Sequence, residues 1–235
     1  MDKPDVSIVM PCRNEENAVG VCVDDARAWL DQSGYTGEIL VVDNGSTDHS
    51  ARVARQHGAR VIPESRPGYG FALRRGITGS RGKIILMGDS DTTYDFLHLD
   101  SFCAPLLKGK YDMMIGDRFA GGIEKGAMSR SHIWGVRMLS FLARKRFHTD
   151  VRDFHCGLRG LTADAAKRLP FRSGGMEFAT EMIALAARNG LHIGQTPTPL
   201  RRCCQKRRSK LRTLPDGFRH LRYILTSYTE GGKQE

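Results

Sequence analysis

The segment KIILMGDSDTTYDF, residues 83–96, joins an apolar run to two carboxylates, Asp89 and Asp91. The run is apolar at each position from Ile84 to Met87, which is typical of a parallel strand that helices cover on both faces. Ionised carboxylates at the end of a buried strand are unfavourable unless a cation or a hydrogen-bond network compensates them. The segment therefore predicts a central strand with a polar site at its carboxyl end.

Other short apolar runs alternate with helical patterns along the chain. The runs are VSIVM (6–10), EILVV (38–42), ARVI (59–62) and YDMMI (111–115). Between the first two, an apolar stripe at helical spacing extends from Val19 to Leu30 and stops at Gly34. Strands that alternate with helices wind into an open parallel sheet that binds ligands at the carboxyl ends of its strands. We predict an α/β fold with a mostly parallel central sheet and helices on both of its faces.

Polar residues follow three of these strands. PCRNEE (11–16) follows the first strand, DNGS (43–46) the second, and GDSD (88–91) the fourth. Hard divalent cations such as Mg²⁺ and Mn²⁺ take oxygen ligands and usually share them with substrate phosphates. A metal held by Asp89 and Asp91 would therefore suit a nucleoside diphosphate.

Several common nucleotide-binding motifs are absent from the sequence. No G-x-G-x-x-G turn follows the first strand, which argues against an NAD or FAD enzyme. No G-x-x-x-x-G-K-[ST] loop exists, which argues against an ordinary P-loop NTPase. The first loop also lacks the glycine-rich, lysine-containing sequence expected of a sugar nucleotidyltransferase.

The chain is strongly basic. Lys and Arg number 36 against 26 Asp and Glu, a net charge of +10, which favours phosphates, anionic lipid or nucleic acid as partners. LRRCCQKRRSKLR (200–212) has no acidic residue and indicates either an anion or lipid headgroup contact or a solvated basic tail. A nucleic-acid binder leaves acids at three strand ends unexplained, so we predict no nucleic-acid partner.

The sequence carries no sign of export or of a membrane span. Its six cysteines form no C-x-x-C pair, and no signal peptide precedes the first strand. No run approaches the roughly 18 apolar residues that span a bilayer. We expect a cytoplasmic protein. In the predicted helix SRSHIWGVRMLSFLARKRF (129–147), the face formed by Trp134, Met138, Phe141 and Leu142 favours core packing, with a lipid-contacting surface as the alternative.

Five segments, taken in order, resemble those of a known enzyme family. They are SIVMPCRNEEN, VVDNGSTDHS, RPGYGFALRRGI, MGDSDTTYDF and DFHCGLRGL. Together they are similar to family 2 inverting glycosyltransferases with the GT-A (Rossmann-like) fold. The similarity covers roughly residues 5–225, and is to the branch that makes dolichol-phosphate or polyprenyl-phosphate mannose or glucose.

The resemblance implies roles for particular residues. Asp89 and Asp91 would bind the metal and the diphosphate, and Asp91 and Asp153 would lie at the reacting centre. Arg118 would approach the phosphates. Residues that would bind the nucleotide sugar are Pro11, Arg13, Glu15, Asp43, Gly70, Asp89 and Ser90. RSKLR is similar to the family's tail motif, so Ser209 and Lys210 would contact the acceptor phosphate.

The resemblance also implies the reaction. Residues 1–200 would form the catalytic domain, and residues 201–235 a basic segment with a short helix on the acceptor or membrane side. With Mg²⁺ or Mn²⁺, the enzyme would move a sugar from a UDP- or GDP-linked donor to a polyprenyl phosphate at the cytoplasmic membrane face, with peripheral contact to anionic lipid. The alternative is a soluble enzyme that glycosylates a hydroxyl of a small metabolite or glycan, for which Asp153 would be the base.

Overall fold

The computed structural model describes residues 3–203 and 213–227, in which seven strands form one sheet. The strands are β1 (Val6–Cys12), β2 (Gly37–Asp43), β3 (Arg60–Pro63), β4 (Ile84–Met87), β5 (Met113–Asp117), β6 (Arg159–Thr162) and β7 (Ile193–Pro197). Their order is β3-β2-β1-β4-β6-β5-β7, and β6 runs antiparallel to both of its neighbours. The predicted open, mostly parallel sheet is confirmed.

Helices surround this sheet. They are α1 (Val19–Ser33), α2 (Ser50–Gln56), α3 (Tyr69–Gly79), α4 (Asp100–Leu107), α5 (Arg118–Gly121), α6 (Arg130–Phe147), α7 (Ala163–Arg168), α8 (Phe178–Arg188) and α9 (Thr213–Thr226). The first helix ends where the sequence predicts, at Gly34, whose φ of +74° is a left-handed conformation that glycine adopts without strain. Across the described ranges, every helix is too short or too polar to span a bilayer.

The middle strands supply the core. Each residue of β4 is buried, and so are Val6 to Met10 of β1. Both faces of these strands are covered, which explains why their sequences are apolar at each of these positions except Ser7 of β1 and do not alternate with polar residues. Burying one such aliphatic side chain contributes roughly 1.5–3 kcal/mol to the stability. At Gly76 of α3, an added Cβ would lie 2.2 Å from Cγ1 of Val9, so the absent side chain lets this helix approach the sheet closely.

The register gathers chain segments at one edge of the sheet. The last residues of β1 and β2, Cys12 and Asp43, are paired across the sheet, and Met87 at the end of β4 pairs with Arg159 at the start of β6. Because β6 is antiparallel, the segment that precedes it reaches the edge at which the parallel strands end. Residues 153–158 therefore meet the segments that follow β4 and β5, at Asp89 and Arg118.

The core packing predicted for the Trp134 face of α6 is wrong. Trp134 is 67% exposed and Phe141 is 56% exposed, and Met138 and Leu142 of the same face are exposed as well. The helix instead buries its opposite side, which carries Val136, Leu139, Ser140, Ala143 and Phe147. Since α6 has apolar residues on two faces, the periodicity of its sequence does not decide which face is packed.

The last helix, α9, packs on α6 and α8, and its buried His220 contacts His155 in the loop before β6. The ring of His220 lies edge-on to that of His155, with centroids 4.4 Å apart, and Nδ1 of His220 is 2.8 Å from Oγ1 of Thr180. Burial lowers the pKa of His220 to about 4. Burial, and next the neighbouring His220, hold the pKa of His155 well below its usual value. Both rings are therefore neutral at pH 7.

Acidification should weaken this packing. The unfolded chain takes up a proton at His220 near pH 6.5, whereas the folded protein does so only at about pH 4. Between these values the unfolded state binds more protons, so the free energy of unfolding should fall by about 1 kcal/mol per pH unit as the pH decreases. Urea unfolding at several pH values gives the free energy of unfolding as a function of pH, and this dependence on pH should be weaker for His220→Gln than for the wild type. The exposed His49→Gln is the control, and equal slopes in all three proteins would contradict this assignment.

Candidate functional site

Two carboxylates follow β4, as the sequence predicts. Burial, and next the negative charge of Asp91, raise the pKa of Asp89 to about 7. The hydroxyl of Tyr69, at the start of α3, forms a hydrogen bond with Asp89 and opposes this rise. Oδ1 of Asp91 accepts a hydrogen bond of 2.6 Å from the hydroxyl of Thr93. The two acids are thus crowded together where a positive charge would stabilise both.

This pair fits a hard divalent cation that is bound together with a diphosphate. Mg²⁺ is usually held by one or two carboxylates and completed by substrate phosphates and water. Within residues 3–203 and 213–227, no set of three or more His, Cys, Asp or Glu side chains is placed to hold a metal alone. A cation at Asp89 and Asp91 would therefore take its other ligands from the substrate and from water.

The loop before β6 supports Asp89. A Cβ added at Gly157 would lie 2.5 Å from Oδ2 of Asp89 and 2.9 Å from Cε2 of Tyr94. The backbone N–H of Gly157 donates to the hydroxyl of Tyr94 at 2.8 Å. Only glycine fits this contact. Sequence reasoning missed Gly157, Tyr94 and Tyr69, although all three lie inside or beside the motifs it identified.

The loops after β1 and β2 form the neighbouring part of the site. The hydroxyl of Ser90 donates to the carbonyl of Pro11 at 2.8 Å, which ties the loop after β4 to the end of β1. Oδ1 of Asp43 accepts from the backbone N–H of Ser46 at 3.1 Å. Three of the residues predicted to bind the nucleotide, Pro11, Asp43 and Ser90, therefore lie at adjacent strand ends.

The other two predicted nucleotide-binding residues of the first loop differ in exposure. Arg13 is exposed, whereas Glu15 is 4% exposed and its backbone N–H donates to the hydroxyl of Ser50 at 2.7 Å. Asn14 between them has a φ of +54°, and its side-chain oxygen accepts from the backbone N–H of Thr47 at 2.8 Å. This turn holds the first loop against the second, so that both border the same space.

Gly70, the remaining predicted nucleotide-binding residue, makes a close contact. A Cβ added there would lie 2.5 Å from the carbonyl oxygen of Ser173. Gly68, whose φ of +151° lies in the region that favours glycine, has the carbonyl oxygen of Gly174 only 2.2 Å from its Cβ position. The start of α3 and the loop 173–175 therefore pack backbone to backbone. For Gly70 itself, nucleotide binding stays a prediction.

Arg118 and Asp153 form a buried ion pair beside the acids. Nε and Nη2 of Arg118 donate to the two oxygens of Asp153 at 2.6 and 2.8 Å, and Asp153 has no exposed surface. Burial disfavours the charge of Arg118, but Tyr94 and Asp153 keep its pKa well above the usual value. The structure brings together the two residues that the family resemblance singled out. Their roles in phosphate binding and at the reacting centre stay predictions.

Two acidic residues lie at the start of α8: Glu177 directly precedes the helix, and Glu181 lies in its first turn. Both oxygens of Glu181 accept backbone N–H groups, those of Arg172 and Ser173, each at 2.9 Å. Oε1 of Glu177 accepts from the N–H of Gly175 at 3.1 Å. These carboxylates therefore fix the loop that packs on α3. Ser209 and Lys210, predicted to contact the acceptor phosphate, lie outside the described residues.

Comparison with known proteins identifies the family. Residues 7–169 match the model of glycosyl transferase family 2. The chain belongs to this family. The family resemblance seen in the motifs is confirmed, and Asp89 and Asp91 lie within the matched residues.

Curated relatives of this family 2 chain come from the archaeon Haloferax volcanii. The low-salt glycan biosynthesis hexosyltransferase Agl6 is 35% identical over 226 residues, which are 95% of this chain and 54% of the relative. Glycosyltransferase AglJ is 32% identical over 84% of this chain and 64% of its own length. The chain thus spans about half to two thirds of these two relatives. A dolichyl-phosphate hexose transferase is 29% identical over 84% of this chain and 83% of the relative.

Solved structures show the same fold. Glucosyl-3-phosphoglycerate synthase from Mycobacterium tuberculosis, in complex with Mn²⁺, UDP-glucose and phosphoglyceric acid, superposes with a TM-score of 0.76 at 26% identity, over 95% of this chain and 79% of that chain. The same synthase with Mg²⁺ and UDP gives a TM-score of 0.70 at 25% identity, over 87% and 73%. The predicted GT-A fold is confirmed.

The contact between Gly157 and Asp89 can be tested by metal binding. Gly157→Ala should push the Asp89 carboxylate away and weaken the binding of Mn²⁺ in the presence of UDP by about 10-fold or more, the usual effect of losing a residue that orients a ligand. Gly135→Ala in α6, where an added Cβ meets no atom within 4 Å in the described structure, is the control. Electron paramagnetic resonance of Mn²⁺ measures the affinity of each variant for the metal. Equal affinity in the Gly157 variant and in the wild type would contradict the assignment.

Proposed function

We propose that this protein transfers a hexose from a nucleotide sugar to a polyprenyl phosphate, with Mg²⁺ or Mn²⁺ bound by Asp89 and Asp91. The observation that carries the proposal is the pair of crowded acids at the end of β4, on the sheet edge that also holds Asp43, in a family 2 chain. The dolichyl-phosphate hexose transferase among its relatives supports the lipid acceptor. The synthase solved with Mn²⁺ and UDP-glucose supports the metal and the donor.

The chain's own residues would hold the donor in place. When bound, the cation would neutralise the negative charge that develops on the departing diphosphate. Asp43 and the end of β1 would orient the nucleoside, which fixes the anomeric carbon relative to the acceptor. Tyr69 and Gly157 would hold the carboxylate of Asp89 in one position, so that little reorganisation is needed during the reaction.

The state of Asp153 favours an acceptor that arrives as an anion. A hydroxyl acceptor needs a base, but both oxygens of Asp153 accept hydrogen bonds from Arg118, so this pair would have to separate first. A lipid phosphate is already a nucleophilic anion and needs no base. Arg118, held by Asp153, would then supply positive charge near the point of attack.

A soluble hydroxyl acceptor is the second candidate, since the superposed synthase was solved with phosphoglyceric acid. The two candidates differ in their products. Incubation with labelled UDP- or GDP-hexose and Mn²⁺, with either a short-chain polyprenyl phosphate or phosphoglyceric acid, would separate them. Label that moves into the organic phase supports the first candidate, and label that stays in a water-soluble glycoside supports the second.

A lipid acceptor would require the protein to work at the inner face of the cell membrane. The exposed apolar face of α6, formed by Trp134, Met138, Phe141 and Leu142, would insert into the interface. Basic residues border this face, among them Arg130, Arg137 and Lys145, and would contact anionic headgroups. The combination of large apolar side chains and positive charge on one helix matches an anionic lipid surface.

Replacement of Asp91 tests the metal role. Asp91→Asn keeps the size of the side chain and removes its charge, so hexose transfer should fall by roughly 10²–10³-fold or more while the unfolding transition stays unchanged. Asp164→Asn, at a side chain 91% exposed, is the control and should transfer at the wild-type rate. A wild-type rate for Asp91→Asn, or full activity in excess chelator, would refute the proposal.

Replacement of exposed apolar residues tests membrane contact. Trp134→Ser combined with Phe141→Ser should lower co-sedimentation with vesicles of phosphatidylglycerol and phosphatidylcholine by about 10-fold or more, because two large apolar side chains are lost. Val21→Ser, on the exposed side of α1, should bind as the wild type does. Undiminished binding of the double variant would show that α6 is not the contact.

A further inference from the structure

A groove of about 1080 Å³ lies between α8, α9 and the loop that precedes α8. Ser173, Gly174 and Gly175 form one side, and Gly68 and Phe71 close one end. Among its described lining residues, none is an acid of the strand ends or a member of the buried ion pair. The groove therefore shares a wall with the site of the crowded acids but is separate from it.

The lining of the groove is basic. Four arginines and two glutamates line it, namely Arg172, Arg188, Arg219, Arg222, Glu177 and Glu181. Nη1 of Arg219 also lies 3.7 Å from Oδ1 of Asp216, so four arginines face three acids and one positive charge is left over. A phosphomonoester, whose charge is about −1.5 to −2 at pH 7, would supply the negative charge that this lining lacks.

The two glutamates already accept hydrogen bonds from the backbone of the loop that precedes α8. Glu181 accepts the N–H groups of Arg172 and Ser173, and Glu177 accepts that of Gly175, so each carboxylate holds backbone in place. The guanidinium groups of Arg172 and Arg222, both exposed, have no carboxylate within 4.0 Å in the ranges that the structure describes. These two arginines are available to an anion from outside the chain.

Arginines from distant parts of the sequence meet in this groove. Nη1 of Arg219 lies 3.1 Å from the position of a Cβ at Gly175, so this side chain of α9 reaches the loop on the opposite side. Arg222 follows one turn later on the same helix, while Arg172 approaches from the loop itself. Phe71 and Tyr223 add apolar surface beside these charges. The groove thus offers charge for an anionic head and apolar contact for the group attached to it.

We propose that this groove is a binding site for a phosphomonoester. Guanidinium groups bind phosphate oxygens through paired, charge-assisted hydrogen bonds, and several of them around one space favour a dianion over a monoanionic phosphodiester. A lipid phosphate and a phosphorylated small metabolite present the same dianion. Binding here requires neither metal nor donor sugar, so it does not depend on the proposed transfer activity.

Isothermal titration in the presence of EDTA, without nucleotide sugar, tests this site on the full chain. The ligands are inorganic phosphate, phosphoglyceric acid and a short-chain polyprenyl phosphate below its micelle concentration. The variant Arg172→Ala/Arg222→Ala removes two exposed guanidinium groups and should weaken binding at least tenfold. The control Arg52→Ala/Arg81→Ala removes the same charge from exposed positions that do not line the groove and should bind as the wild type does.

Each outcome decides the matter. Tenfold weaker binding of any of the three ligands in the groove variant alone supports the site. Preference for the polyprenyl phosphate identifies a lipid source, and preference for phosphoglyceric acid a soluble one. No binding to the wild type, undiminished binding in the groove variant, equal weakening in the control variant, or equally tight binding of a dinucleotide phosphodiester would overturn the proposal. Because metal and donor are left out, these results are independent of whether hexose transfer occurs.

Discussion

A buried guanidinium group, that of Arg159, holds together the segments that form the site. Arg159 is 1% exposed and begins β6 beside the end of β4. Its Nε donates to the carbonyl of Cys156 at 3.0 Å, and its Nη1 donates to the carbonyl of Ala179, on α8, at 3.0 Å. A buried charge is tolerated only where hydrogen bonds compensate it, so these carbonyls must stay in place.

The positive charge of Arg159 also lowers the pKa of Asp89 and opposes the larger effect of burial. One side chain thus fixes the loop before β6, anchors α8 and stabilises the ionised form of the first acid.

The ion pair of Arg118 and Asp153 extends this arrangement towards the side on which we propose that the acceptor binds. Arg118 begins α5 directly after β5, while Asp153 precedes β6, and these two strands are neighbours in the sheet. Since both side chains are buried, separating them would leave an uncompensated charge, which is strongly unfavourable. The pair therefore holds the guanidinium group of Arg118 in one position and does not offer a free carboxylate. Tyr94 lies near both regions: its hydroxyl accepts the N–H of Gly157, and its proximity raises the pKa of Arg118.

Much of the fold could be predicted from the sequence, since runs such as Ile84 to Met87 are apolar on both faces and glycines such as Gly34 end helices. The position of Asp89 and Asp91 followed from the same pattern. The reversed direction of β6 could not be predicted, because RGLT is short and begins with an arginine whose burial depends on carbonyls distant in the chain. The face of α6 was assigned wrongly because periodicity identifies an apolar face but not its partner. The role of Glu181 depends on backbone N–H groups, which no side-chain pattern reveals.

The distribution of charge explains how a basic protein can carry an acidic site. A nucleotide sugar and a phosphate acceptor are both anions, and they repel each other as they approach. Asp43, Asp89 and Asp91 by themselves would add to that repulsion, so the donor side needs a cation that is bound together with the diphosphate. The acceptor side needs no metal if Arg118, held in place by Asp153, faces the incoming phosphate. The net charge of +10 of the whole chain would attract anionic partners that come within roughly 8 Å, the distance over which physiological salt leaves charges largely unscreened. In the proposed reaction, the acids would bind a metal for one anion and Arg118 would face the other directly, and both arrangements would reduce the repulsion between the two substrates.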